Sequence, residues 1–199
     1  MTTFTERLYL ETKDSHKIID KHDFVALMRK DEIAGEMYIN FNKICIYELQ
    51  QTLKLKDTDL QSRLYRDIEQ PDMYIYEHLN ELLILCKQYP LELEYMFKVG
   101  LIKGGNMLKK YIPKHAHDFL TFNNPNDLFN DFKNYLNDNV TNQTLFIKNV
   151  NDAYKLIKLC FDCFFSKINP KLDIQYRALD VQESRQLDSG SGSYSDSDT

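Results

Sequence analysis

Residues 95–110 read YMFKVGLIKGGNMLKK, a segment whose apolar residues recur at helical spacing although it carries Gly100, Gly104 and Gly105. Each glycine inside a helix costs about 1 kcal/mol relative to alanine, so three within six residues require a compensating reason. Gly100 and Gly104 are four residues apart and share one helix face, while Gly105 adds a point at which the helix can kink. Two readings of that bare face remain open. Another helix packs closely across a small-x-x-x-small seam, or a flat ligand lies directly against the backbone. Neither GxGxxG nor GxxxxGK[ST] occurs, which argues against a phosphate-binding loop.

The cluster stands out because glycine is scarce. The 199 residues include 6 Gly and 5 Pro, with 43% apolar and 28% charged residues. That length suits one domain with a core that needs neither disulfides nor metals, and so few turn formers exclude collagen-like, Gly/Pro-rich and many-turned all-β classes. The breakers fall between periodic segments. Thr3 and Glu6 form a capping box ahead of a largely helical stripe (Phe4, Leu8, Ile18, Ile19, Val25, Leu27) that reaches about Met28. A second helix is predicted from about Ile33 to Leu55, a weaker one over 58–69 ended by Gln70-Pro71, and another over about 72–88. The glycine-bearing helix follows over 91–112, then a connector, a helix from Pro125 or Asn126 to Asn139, and a last one over about 142–168. The predicted fold class is all-α, one domain of six to eight helices over residues 1–185. Residues 186–199, QLDSGSGSYSDSDT, have the composition of a disordered acidic tail.

The formal charge is -5, and three aspartates in the tail account for most of it. A body so close to neutrality lacks the basic stripe of a nucleic-acid binder. The longest apolar runs, at 82–86 and 159–165, fall short of the roughly eighteen residues of a membrane span. Cys45, Cys86, Cys160 and Cys163, without a secretory leader, are expected to be reduced thiols in a soluble, cytoplasmic protein.

Five histidines are the other carriers of chemistry. His16 has Thr12 one turn before it and Asp20 one turn after, and a carboxylate at i+4 can orient an imidazole as it does for metal-binding histidines. A lone helical histidine is more often an ordinary surface or core residue. His22 and His78 show no partner in the sequence. His115 and His117 lie beside Asp118 but lack further ligands at metal spacing. Cys160-x-x-Cys163 has no second pair and sits in an aromatic helix, which favours buried packing.

Taken together, Thr12-x-x-x-His16-x-x-x-Asp20 in a first helix and Tyr95-x-x-x-x-Gly100-x-x-x-Gly104-Gly105-Asn106 some eighty residues later resemble the heme oxygenases, the biliverdin-producing type. The resemblance spans roughly residues 5–168 and touches Ile46-Tyr47, Thr121-Phe122 and Phe132 to Tyr135 between and beyond the two helices. It implies haem held between the first helix and a Gly-kinked distal helix. His16 would be the proximal iron ligand, with Asp20 its carboxylate neighbour, Thr12 a contact, and Lys13 directed at a propionate. Gly100, Gly104 and Gly105 would form the distal wall, with Leu101 among its haem contacts, Tyr95 and Asn106 near the reacting face, and Lys133 as a second propionate partner.

The pattern departs from the family beside the first distal glycine. Leu101 stands where the family has the aspartate that holds its distal waters, Lys103 where it has serine, and Asn106 where it has glutamine. Phe97 or Met96 occupies the place of an arginine, and Leu136 and Asn137 follow Lys133 without the second basic residue. The resemblance therefore implies a divergent enzyme that cleaves haem to biliverdin, iron and CO with O2 and electrons from a partner reductase, haem being both substrate and cofactor. The alternatives are a non-catalytic haem sensor or carrier on the same fold, motivated by Leu101, and a helical interaction protein that does not bind haem.

Overall fold

A computed structural model describes residues 2–55, 78–114 and 117–168. Among them lie seven α-helices and no strand: α1 (Phe4–Asp20), α2 (Asp23–Met28), α3 (Glu32–Leu55), α4 (Leu79–Gln88), α5 (Pro90–Leu108), α6 (Pro125–Asn139) and α7 (Gln143–Ile168). A 3-10 turn at Asp118–Leu120 precedes α6. The fold is all-α, as the spacing of apolar residues predicts. The helix expected over 58–69, the first residues of the one expected from 72, His115, residues 169–185, and the 186–199 tail fall outside the described residues.

Local signals place most helix ends. Thr3 caps α1 through its side chain, and the Glu6 carboxylate accepts from the Thr3 N–H at 2.8 Å, completing the capping box. Pro90 and Pro125 stand at the starts of α5 and α6, where a missing N–H costs nothing. One expectation is corrected. The stripe that reads as a single helix to Met28 breaks at Lys21–His22, because His22 is extended and acts as the N-cap of α2. Its Nδ1 accepts from the Phe24 N–H at 3.1 Å, which puts the ring proton on Nε2, 2.9 Å from Asp162 Oδ1 on α7. No periodicity rule reveals a partner 140 residues away.

Helix α7 is the spine. It packs against α1, α2, α3, α4 and α5, and its buried residues, from Phe146 through Val150, Ile157 and Cys160 to Phe164, turn apolar groups to all of them. Phe161 is the centre of an aromatic cluster with Phe24 (centroids 5.1 Å apart), Phe41 (5.5 Å) and Tyr38 (6.1 Å), so α2, α3 and α7 meet in one contact. Fully burying one such ring is worth about 1.5–3 kcal/mol, with further gain from edge-to-face geometry. Helix α1 is tied to α7 by Phe4 against Phe146 at 5.4 Å and by the Ser15 hydroxyl donating to Asn151 Oδ1 at 2.6 Å. It is tied to α6 by the Thr5 N–H donating to Asn137 Oδ1 at 3.0 Å.

Helix α5 buries an ion pair. Lys98 Nζ donates to Glu94 Oε1 one turn earlier, with side-chain exposures of 0% and 2%, and the ammonium lies 5.5 Å from the Phe132 ring centroid on α6. Glu94 Oε2 has no hydrogen-bond partner. Burial pushes the Glu94 carboxyl up and brings the Lys98 ammonium down to about 8, each opposed by the partner's charge. Both directions mean that the charged forms are costly in this position. Removing one partner strands the other, so Lys98→Met is expected to lose about 3–5 kcal/mol in urea denaturation, whereas Glu94→Leu/Lys98→Met together should be close to neutral. Between pH 8 and the ordinary lysine value of 10.5 the unfolded chain holds the Lys98 proton and the folded chain does not. Stability from this group therefore rises with pH over that interval, and the rise should be missing in the double variant.

Candidate functional site

Helices α1 and α5 each pack on α6 and α7 but not closely on one another. The space between them is a cleft of about 1050 Å³, lined from α1, α3, α5, α6 and α7. Pockets for organic ligands run to about 1,000 Å³, so this one has room for a large ligand. Its apolar surface comes from Phe97, Leu101, Phe129, Phe132, Ile157 and Phe161 among others, and cations at Lys13, Lys17, Lys103 and Lys133 also line it.

The α1 wall carries His16. Its Nδ1 lies 3.0 Å from Asp20 Oδ2, one turn further on. The ring meets Tyr154 of α7 edge-on, with centroids 5.8 Å apart. The Asp20 carboxylate holds the imidazole pKa above its ordinary value, against the effect of partial burial. An Nδ1–H directed at a carboxylate leaves the lone pair of the neutral ring on Nε2, which has no partner among the described residues. Thr12 is buried and its hydroxyl donates to the Leu8 carbonyl at 2.8 Å. Tyr95 of α5 lines the same cleft. Burial raises Tyr95, and raises Tyr154 further, so both phenols keep their protons through the neutral range.

The α5 wall is where the three glycines separate. The helix is continuous from Pro90 to Leu108, and none of its three glycines has a positive φ. A Cβ built on Gly100 meets nothing within 4 Å, and one on Gly104 meets only Leu108 Cδ1 at 3.9 Å; both residues line the cleft. Gly105 is different. It is buried, and a Cβ there would stand 2.8 Å from the Leu120 carbonyl oxygen, so its bareness admits the 3-10 turn. Among the described residues no other helix packs across Gly100 and Gly104, so the expected helix–helix seam is not found there; Gly105 instead serves close packing against the 3-10 turn, and Gly100 opens onto free volume.

The structure gathers His16, Thr12, Lys13, Asp20, Tyr95, Gly100, Leu101, Gly104 and Lys133 around one cleft. It places Gly105 and Asn106 outside the lining, Asn106 being exposed at the far side of its turn. Tyr38, Asn42 and Tyr154 line the cleft without having been singled out in the sequence. The signal that could have found Tyr154 is its place on the apolar stripe of α7, where a phenol is the polar exception. His117 Nε2 lies 3.3 Å from the Ile112 carbonyl, and His78 Nδ1 lies 3.9 Å from Glu81 Oε2. Among the described residues no group of His, Cys, Asp and Glu has the arrangement of a metal site. Cys45, Cys86 and Cys160 are buried free thiols and Cys163 is partly exposed. No helix among the described residues is long and apolar enough to cross a membrane.

Fold and site together define an all-helical protein with a histidine-bearing cleft between two helices. No protein-family model, no curated protein and no solved structure matches the chain.

The glycines give a test that needs no ligand. Gly100→Ala has space for its methyl and gains helix propensity, so it should stabilise the unliganded protein by up to about 1 kcal/mol. Gly105→Ala forces α5 from Leu120 and should destabilise it by about 1–3 kcal/mol. Urea midpoints at constant slope measure both.

Proposed function

We propose that this protein binds haem in the cleft between α1 and α5 and opens its ring to biliverdin, releasing iron and CO, with O2 and electrons from a partner reductase. The observation that carries the reading is His16, with Nε2 unengaged, on one wall of a cleft whose other wall has open space at Gly100. The residues present fit the group: a side chain at Gly100 would fill the volume that a flat macrocycle needs. Haem, when bound, supplies the redox-active iron and is itself what is consumed.

The chain's own residues bind, orient and enclose. His16 offers Nε2 as the iron ligand, while Asp20 accepts from Nδ1–H, fixes the ring's rotation and increases its basicity. Lys13 and Lys133 present ammonium groups to ligand carboxylates. Gly100 and Gly104 keep the α5 face flat, and Phe97, Leu101 and Phe132 exclude water from it. Tyr95, kept protonated by its burial, puts a phenol on the α5 side of the cleft. Buried free thiols at Cys45, Cys86 and Cys160 suit a reducing, cytoplasmic setting.

A second reading, retention of haem without cleavage, is favoured by one feature. The acids that line the cleft, Glu6, Asp14 and Asp20, all belong to α1, and α5 contributes Leu101 beside Gly100 and no carboxylate. Proton delivery on that side then depends on Lys103, Tyr95 and water.

Purified protein titrated with haem and then given ascorbate or a reductase in air separates the two. Loss of the Soret band with appearance of biliverdin supports cleavage, and a persistent Soret band without biliverdin supports retention. Absence of any Soret shift on titration overturns both. His16→Ala should abolish the absorption spectrum of histidine-ligated ferric haem. Asp20→Asn should weaken haem binding by about 10–100-fold, the range for a group that orients a metal-binding histidine.

A further inference from the structure

The geometry points to a carboxylate subsite at Lys103, whose ammonium exchanges the Phe129 ring for an acid group of the ligand as the ligand enters the cleft. The inference rests on reading the cleft as a porphyrin site. Lys103 is on α5 between Gly100 and Gly104, is exposed, and lines the cleft together with Phe129 of α6. Its Nζ stands 3.8 Å from the Phe129 ring centroid. No carboxylate of the described residues forms an ion pair with it. Lysines elsewhere on the surface do find acids, as Lys148 and Lys155 share Asp152 and Lys158 meets Asp162.

A cation resting on an aromatic face at an exposed site is held more weakly than one donating charge-assisted hydrogen bonds to a carboxylate. Moving Lys103 from Phe129 to a ligand acid is therefore downhill, and the flexible side chain needs no backbone change to make the move. The resemblance to heme oxygenases supplies no such group, since a serine stands there in the family pattern. The subsite follows from this chain's own residues: α5 brings a cation and no anion to the cleft, so the α5 side selects acidic ligands.

Metal-free protoporphyrin IX, a diacid, and its dimethyl ester isolate the charge, with fluorescence following binding in the full chain. Wild type is expected to prefer the diacid by about tenfold or more, with the preference shrinking as salt rises. Lys103→Met, at an exposed position, should lower that preference severalfold, the remainder belonging to Lys13 and Lys133, with ester affinity unchanged and the helical circular dichroism intact. Phe129→Leu removes the competing ring and should tighten the diacid about two- to threefold without tightening the ester. A diacid preference unchanged by Lys103→Met, or an equal loss for both porphyrins, overturns the subsite. Anything short of selective tightening in Phe129→Leu overturns the exchange with the ring. Failure of the wild type to bind either porphyrin overturns the cleft reading and this inference with it, whereas the preceding outcomes leave the cleft reading standing.

Discussion

Because α7 is apolar on several sides, it buries itself only when other helices surround it, and that requirement arranges the molecule. Phe161 shows the constraint most directly: it touches Phe24, Phe41 and Tyr38, so three helices meet at a single ring. Further toward the N-terminal end of the same helix, Phe146 takes Phe4 of α1 at 5.4 Å and Tyr95 of α5 at 6.4 Å. Two helices are thereby fastened to the same support. Neither has to touch the other closely, and what is left between them is the cleft.

That arrangement has a cost which the rest of the molecule bears. A cleft of about 1050 Å³ beside the core removes dispersion contacts that α1 and α5 would otherwise make. The polar ties of α1 to its neighbours, Ser15 to Asn151 and Thr5 to Asn137, hold it in place without filling the space. On α5, the Asn149 amide donates to Glu92 Oε1 at 3.1 Å, and the buried Glu94–Lys98 pair faces Phe132. A buried pair of this kind is poor evidence of stability, since apolar residues of equal volume usually do as well. What it does set is orientation: with Lys98 turned toward Phe132, Gly100 and Gly104 border the cleft.

Much of this is readable from local sequence. The Thr3–Glu6 capping box, the prolines at 90 and 125, and the apolar periodicity of α3, α6 and α7 depend on neighbours within a few residues, and the observed helices agree with them closely. The Thr12, His16 and Asp20 spacing is equally local, because i, i+4 geometry follows from the helix itself. The break at His22 was not readable, since the histidine's Nε2 partner, Asp162, is on another helix. Nor was the division among the glycines. Gly105 and Gly100 look alike in the sequence, and only the nearby Leu120 carbonyl on one and open volume on the other distinguish them.

The sequence by itself therefore determined an all-helical chain, most of its helix ends, and an oriented histidine one turn from a carboxylate, because each arises from backbone hydrogen bonding and side-chain spacing within one helix. Tertiary structure alone decided that His16, Tyr95, Gly100 and Lys133 line one cleft, and that Gly105 and Asn106 do not. The physical reason is that a cleft is a failure of two helices to meet. It depends on how far the shared support of α6 and α7 holds them apart, and no residue pattern within either helix carries that distance.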